Sequence, residues 1–243
     1  MFSDRIRRRI AKAALAGMAL ALPVAAVAGV VVKSSGPSAG TYTVGTKVED
    51  GSKITLEAGD SITVLTSKGT QVLKGAGTFT VGEKPKEPRM RFANFTRQGA
   101  AGRVRTGAVR TGDAGEIERP NMWYVDLSEP GKTCLYDFST VRLWRPEASE
   151  AATYTVVEPE KADAVEVHFE AGESERVLNS ERLTPAEDRT YAVRAAAEGE
   201  PVTMQFALIS DYETPDELAE MLLEKGCTAQ LALMADRLEA DAE

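Results

Sequence analysis

From residue 30 to residue 81 the apolar positions fall in short alternating runs: Ile54 and Leu56, Ile62 and Val64, Val72 and Leu73, Phe79 and Val81. Between them stand DG, AGD, KG and GAG, which supply the positive φ and the local hydrogen bonds that tight turns need. The spacing predicts four or five strands in about fifty residues, with Val30, Val31 and Val32 opening the first. The pattern resumes after residue 120. Strands are expected at Met122–Leu127, Val141–Trp144, Thr153–Val157, Ala164–Phe169, Thr190–Ala195 and Val202–Ser210. Val165, Val167 and Phe169 share one face, as do Val202, Met204, Phe206 and Leu208. Six or so strands with turns every ten to fifteen residues read as a β-sandwich.

The period then changes from two to that of a helix. Thr214-Pro215-Asp216-Glu217 places a capping threonine before a proline and a glutamate three residues on. Leu218, Met221 and Leu222 follow, and Gly226 suits the position after a helix. A second helix would align Cys227, Leu231, Met234 and Leu238, and such a stripe must be buried, here on the sandwich. The fold class expected is therefore mainly β: a small β-domain, then a sandwich with two short C-terminal helices. LTPAEDRTYAV is similar to the L-x-P…Y-x-V corner of immunoglobulin-like and fibronectin-like sandwiches. The resemblance implies that Tyr191 ties that corner to the backbone.

The first residues differ in kind. Arg5, Arg7, Arg8, Arg9 and Lys12 precede an apolar stretch, Pro23 breaks it, and Ala26-Val27-Ala28 is an A-x-A site. This is the layout of a signal peptide, with cleavage expected after Ala28. The alternative is a retained anchor, because Ala13 to Val32 carries no charge over 20 residues. The domain reading is 1–28 signal peptide, 29–85 small β-domain, 86–120 basic connector with a possible short helix at MRFANFTR, and 121–243 sandwich with helices. About a dozen residues stand before the apolar run, too few for a cytoplasmic regulatory domain there.

Charge separates the connector from its neighbours. The whole chain carries 29 basic and 37 acidic residues, which argues against a nucleic-acid partner. Between Lys86 and Arg110, by contrast, basic groups dominate, Arg103, Arg105 and Arg110 among them. They could grip an anionic partner, dock on the chain's own acidic C-terminal half, or form a solvated face.

Candidate chemistry is sparse. One histidine, His168, has no partner pattern, and no cofactor or metal site is expected. EPGKT echoes a phosphate loop, but Asp126 stands where the first glycine belongs. Trp123, Tyr124 and Trp144 could form an aromatic platform for a sugar or belong to the core. Two cysteines, Cys134 and Cys227, would pair in an oxidising compartment. An enzyme is not expected.

Residues Gly45, Val48, Gly51, Ile54, Leu56, Gly59, Asp60, Ile62, Val64, Leu65, Gly69, Thr70, Leu73, Gly75 and Gly77 resemble the pattern of the FecR-like domain of bacterial envelope proteins. The connector Arg103, Arg105, Gly107, Ala108, Val109 and Arg110 and the terminal Lys225, Gly226, Cys227, Gln230 and Leu231 are similar to those of exported proteins that join such a domain to a sandwich. The resemblance implies a periplasmic accessory or signalling protein of unknown mechanism. With the export signal, two β-rich modules and the Arg-rich connector, the expectation is a non-enzymatic binding or scaffold protein that engages another envelope protein through the connector or a sheet edge. The membrane is involved only if the N-terminal segment is retained, in which case an anchored sensor is implied.

Overall fold

The computed structural model describes residues 27–83, 95–97, 119–160, 163–178, 181–195 and 200–242. Residues 1–26, where a signal peptide is expected, and most of the connector lie outside the described residues, as does most of the short helix expected at MRFANFTR.

The first unit is built on β1 (Val27–Ser35), β2 (Lys47–Glu49), β3 (Lys53–Leu56), β4 (Ser61–Thr66), β5 (Gly69–Lys74) and β6 (Gly77–Thr80), with a 3-10 turn at Pro37–Gly40. Four of these form an antiparallel sheet in the order β2-β1-β4-β5, and β3 pairs with β6. The run Val30-Val31-Val32 does not alternate with polar residues because β1 is buried on both faces. Val31 joins Ile54, Leu56, Ile62, Val64 and Leu73 in the unit's own core. Val30, Val32 and Leu65 face the other way, into a second core.

The motif carboxylate Asp60 is internal too. It accepts hydrogen bonds from the backbone N–H of Ser38 at 2.9 Å and of Glu57 at 2.5 Å. Burial works against the charge, but these bonds prevail and hold the carboxyl below its ordinary range. Gly36 passes directly over it with φ 97°, and a Cβ there would lie 2.5 Å from Asp60 Oδ1.

The second unit comprises β7 (Val125–Asp126), β8 (Gly131–Leu135), β9 (Arg142–Trp144), β10 (Ala152–Glu158), β11 (Asp163–Phe169), β12 (Glu175–Val177), β13 (Thr190–Ala195) and β14 (Val202–Leu208). A five-stranded sheet, β11-β10-β13-β14-β8, faces a three-stranded one, β12-β9-β7. Val156, Val165, Val167, Phe169, Tyr191, Val193, Met204 and Phe206 fill the space against Val125, Leu143 and Leu178. The result is a β-sandwich, mostly antiparallel, with β8 parallel to β14 and β7 parallel to β9. The Tyr191 hydroxyl accepts a hydrogen bond from the Ala186 backbone N–H at 3.0 Å, as the corner requires.

Three details depart from the pattern reading. The strand expected at Met122–Leu127 shrinks to Val125–Asp126, because Asn121 Oδ1 accepts from the Trp123 N–H at 3.0 Å and turns the chain. β8 and β12 had no alternating signature: one starts in a Pro-Gly pair, and the other holds three residues. Leu208, expected inside with Phe206, is 36% exposed at the end of its strand.

The helices α1 (Pro215–Lys225) and α2 (Thr228–Ala242) form as expected. Glu217 accepts from the backbone N–H groups of Glu213 and Thr214, and Gly226 ends α1 in the left-handed region at φ 78°. Their position is the main surprise. They were expected on the sandwich alone, yet they pack on both units. Leu218, Leu222, Leu231, Met234, Ala235 and Leu238 meet Val30, Val32 and Leu65 on one side, and Met122, Trp123, Cys134, Ala207 and Ile209 on the other. One core joins both units through the helix pair.

Charges at this joint are ordered: bases on the first sheet, acids on the helices. Lys33 Nζ lies 2.8 Å from both Asp236 and Glu239, and Lys47 lies 2.9 Å from Glu220. The buried Thr63 hydroxyl donates to Glu239 at 2.5 Å. Burial pushes the Glu239 carboxyl up, but Lys33, Thr63 and the charge of Lys74 more than offset it, so the net direction is down. Its contribution is complete above the unfolded carboxylate range, near pH ~4.3, and is lost as pH falls through the lower folded value. The Lys33 ammonium is held up by hydrogen bonds to Asp236 and Glu239, so its share fades only as pH rises through a value above the ordinary lysine range. Replacing Glu239 by Gln is expected to lower stability by about 1–2 kcal/mol at neutral pH and to flatten the acid limb of a urea-midpoint titration. An unchanged acid limb would show that the joint does not depend on this carboxylate.

Candidate functional site

Every sequence candidate outside the connector can be placed. Trp123 is buried at the joint: its Nε1–H donates to the Thr96 carbonyl at 2.8 Å, and its ring meets Tyr136 edge-on at 5.7 Å. Tyr212 donates to the same carbonyl, and burial raises its phenol above the ordinary value, which keeps it a donor. Trp144 lies under the Arg119 guanidinium, 5.2 Å from ring to carbon, while Arg119 pairs with Asp126 at 2.6 Å and Glu129 at 3.0 Å. Tyr124 is buried and donates to Glu175 at 2.9 Å; burial first, then the Glu175 carboxylate, push its phenol far up. Of the two alternatives, platform or core, burial favours the core: Trp123 and Trp144 are 4% and 5% exposed and form part of the packing.

His168 stands outside the sandwich core, its Nδ1 2.9 Å from Thr153 Oγ1 and its Nε2 3.4 Å from Glu170. The EPGKT stretch opens β8, where Lys132 pairs with Asp188 at 2.9 Å. Among the described residues, no three His, Cys, Asp or Glu side chains gather as a metal site.

The terminal motif resolves into a clasp. Lys225 pairs with Glu187 at 2.9 Å, and Gly226 closes α1. Cys227 stands at disulfide distance from Cys134, with 2.01 Å between sulfurs and 5.8 Å between Cα atoms. Gln230 is buried beside them. Its Oε1 accepts from the Cys134 N–H at 2.6 Å, and its Nε2 donates to the carbonyls of Cys134 and Met122, both at 2.9 Å. A side-chain amide thus does for β8, the outermost strand of its sheet, what a further strand would do. Nothing in the residue pattern marked Gln230 as a strand partner; only its three-residue offset from Cys227 hinted at a shared face.

No family model, curated protein or solved structure matches the chain.

The connector's arginines Arg103, Arg105 and Arg110 lie outside the described residues, but the points where the chain leaves and returns are fixed. Phe95 is buried under the Arg237 guanidinium at 4.9 Å. The Phe95 carbonyl accepts from the Met122 N–H at 3.2 Å, and the Arg97 carbonyl from Asn121 Nδ2 at 3.4 Å. The described residues on either side of 98–118 therefore meet at one spot beside the joint.

Proposed function

We propose that this is a non-enzymatic accessory or scaffold protein of a bacterial cell envelope, exported to the periplasm, which engages another envelope protein through Arg103, Arg105 and Arg110. The FecR-like resemblance and the leader motivate the compartment. The observation that carries the export reading is the use made of β1. Val30, Val31 and Val32, all downstream of the expected cleavage after Ala28, are committed to two cores. That leaves Ala13 to Ala28, sixteen uncharged residues, a length that suits a signal peptide and falls short of a bilayer. The anchored-sensor reading is correspondingly disfavoured, and the burial of both tryptophans removes the support for a glycan site. For the partner, the support is the charge of the connector, where basic residues dominate between Lys86 and Arg110 in a chain that is acidic overall. A planar guanidinium grips carboxylates in pairs, so an acidic protein surface is the fitting target.

The test is to express the chain with its leader, fractionate the cells and weigh the product. A soluble periplasmic species beginning at Gly29 is expected; residues 1–28 persisting in a membrane fraction would overturn the export reading. Crosslinking should then recover a partner whose yield drops about tenfold in an Arg103→Glu, Arg105→Glu, Arg110→Glu variant. An unchanged yield would remove the connector from the interface.

A further inference from the structure

The helix pair covers one end of the outer face of the five-stranded sheet. The helix pair lies over Cys134 and Ala207, while the part formed by β10, β11 and β13 is uncovered among the described residues. Strand registers fix what that part presents. Thr155 stands opposite Glu166 of β11 on one side and Arg194 of β13 on the other. One row along, Val157 lies between Ala164 and Ala192; one row back, Thr153 lies beside His168. Glu166, Arg194, Ala164 and His168 are exposed, and the residues of β10 between them are half-buried.

We propose that this face is where two copies of the chain meet, related by a two-fold axis running along β10. Rotation about that axis keeps each row in place and exchanges left for right. Glu166 of each copy then stands over Arg194 of the other, and Ala164 over Ala192, while Thr155 and Val157 meet their own equivalents. The charges are self-complementary for this operator, as an isologous contact requires. Within one chain they sit two strand spacings apart, about 9–10 Å, with Thr155 between them. Among the described residues, no ion pair joins either to a neighbour. The face is also charge-balanced in a chain of formal charge −8, so it is a place where two copies can approach without mutual repulsion. Threonine, alanine and valine at the centre let the sheets pack at the usual ~10 Å separation, within reach of Glu and Arg side chains.

The area sets the strength. Three strands and their central rows cover on the order of 300 Å² per copy, against about 800 Å² for a standard stable interface, so the dimer is a weak one. Sedimentation equilibrium of the full chain, taken up to about 1 mM, should show a reversible monomer–dimer equilibrium. Glu166→Arg and Arg194→Glu should each weaken it about tenfold, because each turns both cross-pairs into like charges. The variant carrying both changes should recover most of the association, which a merely structural effect would not do. A chain still monomeric at the highest concentration overturns the proposal. So does a dimer indifferent to the single reversals, or one that the double reversal fails to restore. Both positions lie on the surface, and an unchanged thermal midpoint will confirm that the variants fold.

Discussion

Replacing Cys134 and Cys227 together by Ala is expected to lower stability by about 4–5 kcal/mol, the chain-entropy value for a loop of this length. The two residues are 93 positions apart and both fully buried. Cys134 lies in β8, and Cys227 stands between α1 and α2. The bond would hold the helix pair to the sandwich, and the helix pair in turn covers Val30, Val32 and Leu65 of the first sheet. The loss should therefore spread beyond the sandwich: hydrogen exchange in β1 and β4 should quicken although neither strand carries a cysteine. Two measurements check this. Alkylation of the denatured, unreduced protein should modify neither cysteine. Urea unfolding of the oxidised chain should show a higher midpoint than that of the double variant. Two modified cysteines, or equal midpoints, would mean that the pair does not close.

Gln230→Leu should be nearly as severe, at about 3 kcal/mol or more. The change keeps the volume close and adds apolar surface, so a simple burial argument predicts little harm. What it removes is the partner of three buried groups at once: the N–H and carbonyl of Cys134 and the carbonyl of Met122. Each unsatisfied buried group costs about 1–3 kcal/mol, and Gln230 is itself buried. Because Gln230 and the cysteine pair hold the same segment of β8, their effects should fall short of additive in a triple variant. A Gln230→Leu protein within about 0.5 kcal/mol of the parent would show that β8 finds other partners.

How much of this could be read from the residues depends on the range of the interaction. Strands such as Thr153–Val157 and Ala164–Phe169 were legible because alternation is local, and α1 because Thr214, Pro215, Glu217 and Gly226 encode its ends within one stretch. The tyrosine corner was legible for the same reason: Tyr191 and Ala186 are five residues apart. The joint was not. Val30-Val31-Val32 is apolar without alternation, a sign of burial on both faces, but nothing nearby says that the second face waits for helices some 190 residues away. Trp123 and Trp144 look alike as candidates for a platform or a core, and only the carbonyl of Thr96 and the guanidinium of Arg119 decide between the two.

The position of the helix pair also sets the order in which the molecule can be completed. β1 is an inner strand of the first sheet, yet one of its faces is closed only by α1 and α2, the last described elements of the chain. A chain emerging amino end first would carry Val30, Val32 and Leu65 uncovered until the helix pair has appeared. Contacts of such long sequence separation form slowly, and an open apolar sheet face is the kind of surface on which partly folded chains stick to one another. The span of chain that must arrive before β1 is covered, more than the stability of either sheet, will govern how fast this protein reaches its native state and how much of it is lost on the way.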